Sequence, residues 1–259
     1  MKPDIDLLNE QVQDTHMGKE KTMRSKTTIG LAMLMVMAVA GAASALTIKN
    51  SKHDLSSGST ATVKGNTNQI CVYCHTPHNA AQNIPLWNRN NPAAGGFTLY
   101  SSVTMQNKPV KNGFTTDSIS LFCMSCHDGA TTLGGAAVHN NPVDQLGGIT
   151  VAAVAGRVTA GGVLDPASIY NLKPNLADDH PVNFVVTSGA DPNIGTVTGS
   201  TMKTAEVTNA FPLFKSARNG GSNTTLECGS CHAVHDNTDP PFLRTTMAGS
   251  KLCLGCHIK

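Results

Sequence analysis

The feature that most constrains this chain is a five-residue frame that occurs four times. It reads Cys71-Val-Tyr-Cys74-His75, Cys123-Met-Ser-Cys126-His127, Cys228-Gly-Ser-Cys231-His232 and Cys253-Leu-Gly-Cys256-His257. The four frames use all eight cysteines, so none remains for a disulfide. C-x-x-C-H is the attachment signature of c-type haem, in which two thioethers fix the macrocycle and the adjacent imidazole is the proximal iron ligand. Zinc sites of Cys₄ or Cys₂His₂ type also use C-x-x-C pairs, but they do not require histidine at the fifth position of every pair. With only 10 histidines in 259 residues, chance does not put one behind each of four pairs. The frames therefore predict four covalently attached haem c groups, with His75, His127, His232 and His257 as proximal ligands.

Composition then bounds the fold. Aromatic residues are 4% of the chain, while glycine alone contributes 24 positions, and Asn, Thr and Ser are abundant. Such a chain buries little apolar surface by itself. The haems are expected to supply the missing core, with the polypeptide wrapped around them. Residues 128–227 contain no attachment frame, and "GGITVAAVAGRVTAGGV" and "NIGTVTGSTMKT" read as short strands and turns. The expected fold is mostly irregular coil, with a few short helices at the haem motifs and a minor β element. A net charge of +2 without a basic cluster excludes a nucleic-acid partner.

The N-terminal 45 residues read as a leader. Residues 23–45, "MRSKTTIGLAMLMVMAVAGAASA", have a basic start, an apolar run of about fifteen residues and a small-x-small site at Ala43-Ser44-Ala45. This is the pattern of a secretory signal; as a membrane anchor the run falls short of the about 20 residues needed to span. Residues 1–22 are highly charged, so Met23 competes with Met1 as the start. The expected division is 1–45, leader and signal peptide, and 46–259, a tetrahaem cytochrome c domain with no membrane span. A secreted protein of the extracellular surface or periplasm follows.

Beyond the proximal ligands, five histidines remain after residue 45: His53, His78, His139, His180 and His235. His78 and His235 each follow a frame in the pattern C-H-x-x-H. If that segment is helical, residues three apart share a face, with about 5–6 Å between Cβ atoms. Two ligands of one haem iron approach from opposite sides of the ring, so the second histidine cannot complete the iron held by the first. It is either a solvated residue or the ligand of a different haem. Five candidates for four positions favour bis-histidine irons, with His53, His78, His180 and His235 as distal ligands and His139, in a Gly- and Asn-rich stretch, as the spare. Met105, Met124, Met202 and Met247 are the competing ligands.

An internal repeat accompanies the frames. "PLWNR" (85–89) follows the first C-H-x-x-H and "PPFLR" (240–244) follows the second, both Pro-x-aromatic-x-Arg. Trp87 and Phe242 are expected on porphyrin edges. Arg89 and Arg244 are expected either to pair with propionates or to remain surface arginines.

"SKHDLSS", "QICVYCHTPHN", "LFCMSCHDGA", "DDHPVNF" and "CLGCHIK" together resemble the secreted multihaem cytochromes of metal-reducing bacteria, most nearly their tetrahaem, filament-forming (OmcE-like) type. The resemblance covers most of residues 46–259, though 128–227 match little except His180. It implies bis-histidine ligation, mostly coil structure and stacked haems that run continuously through a head-to-tail homopolymer. It also implies one histidine that ligates across the subunit boundary, and inclines that role to His78 over His53. Six-coordinate haem has no open position for a substrate, so one-electron transfer to a redox protein or an extracellular acceptor is the expected work, not enzymatic turnover. Two alternatives stand beside this. A soluble periplasmic tetrahaem shuttle shares the chemistry without the polymer, and a multihaem oxyanion reductase would need one open iron.

Overall fold

The computed structural model describes residues 48–81, 86–105, 113–217 and 220–259. The leader and signal segment assigned to 1–45 lies outside the described residues. Regular structure in the rest is sparse, in line with the expected coil. Three α-helices are present among the described residues: α1 Ser120–His127, α2 Cys228–Cys231 and α3 Lys251–Leu254. Each carries part of an attachment frame, and the remaining frame starts on a 3-10 turn, Ile70–Tyr73. No helix among the described residues is long and apolar enough to cross a membrane.

The strands are equally short. In chain order they are β1 Thr98–Leu99, β2 Asn175–Leu176, β3 Phe184–Val185, β4 Thr196–Thr198, β5 Thr201–Lys203, β6 Phe211–Pro212, β7 Phe214–Lys215 and β8 Asn223–Leu226. β1 and β2 form a parallel pair. Two antiparallel sheets of three strands run in the orders β3-β8-β7 and β4-β5-β6. Both sheets fall within 184–226; β4 and β5 lie in the segment 193–204 read as strand and turn, whereas 147–163, read the same way, forms only isolated bridges.

Apolar packing is divided among four small clusters instead of one core. The first joins Phe97, Leu99, Phe114, Leu121, Met124 and Leu176; the second joins Phe184, Val186, Met202, Leu213 and Leu226. The third is Tyr73, Val138 and Ile149, and the fourth is Leu133, Val158 and Leu164. Every cluster leans on a frame. Met124 is the spacer of the second frame, and Cys256, Cys74 and Cys126 pack against the second, third and fourth clusters. The same packing occupies two of the competing methionines, since Met124 and Met202 are buried apolar side chains, while Met247 is exposed.

Helix α1 shows how a frame is presented. Leu121 and Met124 turn into the first cluster, leaving Cys123, Cys126 and His127 only partly covered. The helix stops because Gly129 takes φ +69°, a left-handed conformation that glycine adopts without steric cost. The Asp128 carboxylate then accepts the amides of Ala130 (3.0 Å) and Thr131 (2.8 Å) and turns the chain away.

Candidate metal centres

Each frame forms a single turn that gathers its two cysteines and its histidine. The His75 amide donates to the Cys71 carbonyl at 2.7 Å, His232 to Cys228 at 3.1 Å and His257 to Cys253 at 2.9 Å. After that turn, the first and third frames do not continue as helix. His75 enters an antiparallel bridge with Trp87, and His232 one with Leu243. The helical premise for His75 and His78 therefore fails, because the chain leaves the turn at His75 and bends through residues 77–79.

The repeat is present in the backbone, one residue out of the register its side-chain types suggest. Thr76 donates to the Leu86 carbonyl and Ala233 to that of Phe242; Asn88 donates to Cys74 and Arg244 to Cys231. Leu86 (φ +61°) and Phe242 (φ +60°) are both left-handed. Phe242 is thus equivalent to Leu86, and Arg244 to Asn88. The aromatic and the arginine that match in sequence occupy neighbouring, not corresponding, places.

The histidines meet in pairs from distant parts of the chain. Ring centroids are 5.8 Å apart for His75 and His235, 6.1 Å for His53 and His127, and 6.3 Å for His180 and His257. An imidazole nitrogen sits about 2 Å from a bound metal, and the ring centroid roughly 1.1 Å behind it, so two axial imidazoles on one metal stand about 6 Å apart. All three pairs meet that spacing. Each pair unites a proximal histidine with one of the expected distal set. His235 faces His75, not its own neighbour His232.

Second-partner contacts orient several of these rings. His127 Nδ1 lies 2.7 Å from the Tyr170 carbonyl, His180 Nδ1 2.9 Å from that of Pro181, and His232 Nδ1 3.2 Å from that of Pro241. A ring that donates its Nδ1–H to a carbonyl has Nε2 free for a metal, the usual arrangement for ligating histidine. Burial, helped by His127, His232 and His235, lowers the pKa of His53 to about 4. Burial likewise lowers His127, His235 and His257, with His232, His75 and His180 respectively adding to it. Neutral imidazole is the form that binds a metal.

Two of the named histidines stand apart. His78 is exposed; its carbonyl is held by Thr76 and Asn140, and among the described residues no imidazole faces its ring. His232 likewise faces no second imidazole among the described residues, although it acts on both His53 and His127. His139 is exposed, and its amide donates to Asn88.

The thiols reveal how the frames border one another. Burial pushes Cys74 up to about 12, with Cys126 of the second frame adding to the effect. Cys123 and Cys228, both partly covered, meet as a pair in which each sulfur shifts the other's ionisation. Burial and then Cys228 and Cys253 raise Cys231. Consecutive frames are therefore spatial neighbours, in the order first, second, third, fourth.

This arrangement suits haem. Among the described residues no three His, Cys, Asp or Glu side chains converge on a point, as a four-ligand zinc site would require. Imidazoles paired at about 6 Å are what an axially ligated macrocycle needs. Beside His75, Trp87 stands edge-on at 5.6 Å, and its buried Nε1–H finds no protein acceptor. A macrocycle with carboxylate arms would supply one.

The arginines have other tasks than the one expected of them. Arg89 is fully buried and gives its guanidinium to Ser125 Oγ (3.1 Å) and to the carbonyls of Ser125 (2.8 Å), Thr132 (2.6 Å) and Leu133 (2.9 Å). Four of its five N–H donors go to clamping the second frame and the loop that follows it, and the side chain is fully buried. Arg244, half-buried, donates Nε to the Gly229 carbonyl (2.8 Å) inside the third frame. Sequence reasoning also missed Glu227, Ser118, Ser120 and Asn183, a buried polar group behind the second and third frames. A glutamate directly before a frame was its only outward sign.

Residues 221–259 match the family described as a doubled CXXCH motif. The match spans the third and fourth frames and indicates covalently bound c-type haem; it points to a multihaem c-type cytochrome with a role in electron transfer. No curated protein matches the chain significantly.

Proposed function

We propose that this chain is an exported tetrahaem cytochrome that moves electrons along bis-histidine haems, polymerised head to tail as an extracellular conduit. The observation that carries the reading is the facing of His75 with His235, His127 with His53 and His257 with His180 at the separation of two axial ligands. Haem supplies the one-electron chemistry; the chain's work is to hold each imidazole neutral and aimed, and to keep the frames adjacent. Cys71, Cys74, Cys123, Cys126, Cys228, Cys231, Cys253 and Cys256 would form the thioethers.

His232 and His78 are left over, one proximal and unmatched, the other exposed. We assign them to each other across a subunit boundary, His78 of one copy completing the iron held by His232 of the next. Such a contact is heterologous and builds an open fibre instead of a closed ring. Intact mass of the purified protein should exceed the polypeptide by four haem masses. His78→Ala should abolish filaments in electron micrographs and keep all four haems. Fewer than four haems, or filaments that survive the substitution, would overturn the respective claims.

The unmatched His232 also favours a second reading, a reductase whose third iron keeps one position open. Cyanide or nitrite binding to that iron within assembled protein would support it; no binding in the polymer, and binding only in dispersed protomers, supports the conduit.

A further inference from the structure

The polar group behind the second and third frames centres on Glu227, whose side chain is fully buried. Its carboxylate accepts from Ser118 Oγ (2.7 Å), Ser120 Oγ and Asn183 Nδ2 (2.6 Å). It also caps α2: the Ser230 amide donates to the carboxylate, and Ser230 Oγ accepts the Glu227 amide at 3.1 Å. Ser120 Oγ accepts the Cys228 amide at 3.1 Å, so one hydroxyl joins the start of α1 to the start of the third frame. Ser118, Ser120, Asn183 and Ser230 are themselves buried. Every one of these partners is neutral.

An N-cap needs one acceptor, and a serine or threonine serves it at the helix surface. A carboxylate buried among neutral donors costs far more than that to desolvate, so capping alone does not account for it. What a carboxylate adds is charge, and its position is between two frames. Cys123 and Cys228 are the first cysteines of the second and third frames, and the charge on Glu227 acts on both sulfurs. Those sulfurs are the atoms that would be bonded to the two macrocycles. Net charge and burial around a redox centre are among the protein's means of setting its potential.

We propose that Glu227 is a potential-setting residue for the second and third haems, its buried negative charge favouring the ferric state of both irons. The first and fourth haems, attached at Cys71/Cys74 and Cys253/Cys256, lie outside its cage. The two middle haems are thereby held at lower potential than they would otherwise have. Burial raises the Glu227 pKa and the hydroxyl and amide donors oppose the rise, so the net displacement is upward. The titratable groups facing it are the Cys123 and Cys228 thiols, which no longer ionise once they are thioethers. Asp117, next to Ser118 in sequence, is instead engaged by the exposed amide of Ala217.

The inference rests on the haem reading, so haem content is measured by intact mass on the same samples. Spectroelectrochemical titration of the holoprotein is the test. Glu227→Gln keeps the shape and an acceptor and removes the charge; two of the four potentials should move upward at pH 7 and two should stay. In the wild type those two potentials should fall as pH rises through the Glu227 pKa, and the variant should lack that fall. Glu227→Asp should restore both features in whole or in part. A Glu227→Gln curve superimposable on wild type, with four haems attached, would overturn the proposal and leave Glu227 a cap only. Should Glu227→Gln fail to mature, Ser118→Ala removes one donor and should shift the pH-dependent fall to higher pH. An unchanged pH profile in that variant would overturn the proposal equally. Four haems absent from wild type would instead sink the haem reading itself.

Discussion

The first and third frames are built alike and finish differently. Both close a turn from histidine amide to cysteine carbonyl, both make an isolated antiparallel bridge to a returning segment, and both set a left-handed residue at the same place, Leu86 and Phe242. In the third frame the trailing histidine, His235, is also exposed but reaches across to face His75, and Phe242 is buried and stacks on His53 at 4.4 Å. In the first frame the equivalent residues look outward, with Leu86 48% exposed and His78 exposed. The lesson is that C-H-x-x-H specifies local geometry and leaves the destination of the second histidine to the rest of the chain. One copy's second histidine meets a frame histidine of the same chain, and the other's meets no imidazole among the described residues.

The sharpest way to break this comparison is through the two arginines. Arg89 satisfies three carbonyls from full burial, so Arg89→Met should cost about 3–5 kcal/mol in denaturant unfolding of the holoprotein, as for other buried charged groups whose partners are left behind. Arg244→Met removes one bond at a half-buried site and should cost about 1 kcal/mol. Similar losses would show that the two arginines are equivalent after all.

The histidines come next. His235→Ala should leave the iron of His75 five-coordinate and add one high-spin signal in isolated protomers. His78→Ala should leave the protomer spectrum unchanged. The reverse pattern would exchange their roles.

A smaller contrast lies in the glycines of the last two frames. A Cβ on Gly255 would overlap the buried Phe211 ring, whereas one on Gly229 meets the ends of Ile119 and Phe214 at 2.8 and 3.0 Å. Gly255→Ala should cost about 1–3 kcal/mol by overpacking, and Gly229→Ala less, measured by the same unfolding experiment. The smallest effect is expected at the left-handed pair. Leu86→Gly relieves backbone strain at an exposed site and should stabilise by about 1 kcal/mol. Phe242→Gly gives up a buried ring that packs on His53 and should destabilise despite the same relief.

The attachment frames were legible as motifs because covalent chemistry on one turn needs its residues contiguous, and the family match falls on the third and fourth of them. Coil-dominated structure was legible from scarce aromatics and abundant Gly, Asn, Thr and Ser. The histidine pairs were legible only as a set of candidates: His75 and His235 are brought together by the whole fold, and no local pattern encodes that. The repeat was misread by one residue because matching residue types drew Trp87 onto Phe242, whereas the backbone aligns by the left-handed residue. Arg89 was expected to pair with a propionate or to stay at the surface, because nothing local reveals the Ser125, Thr132 and Leu133 carbonyls that receive it. Glu227 was unreadable for the same reason, since its partners come from positions 118, 120, 183 and 230.

The central claim is that three irons are completed within the chain and the fourth between chains. Electron paramagnetic resonance of the oxidised holoprotein, recorded on dispersed protomers and again after assembly, tests it most directly. The account predicts three low-spin irons and one high-spin iron in the protomer, and four low-spin irons once His78 and His232 of neighbouring copies can meet. Four low-spin irons in a protein that stays monomeric would contradict it.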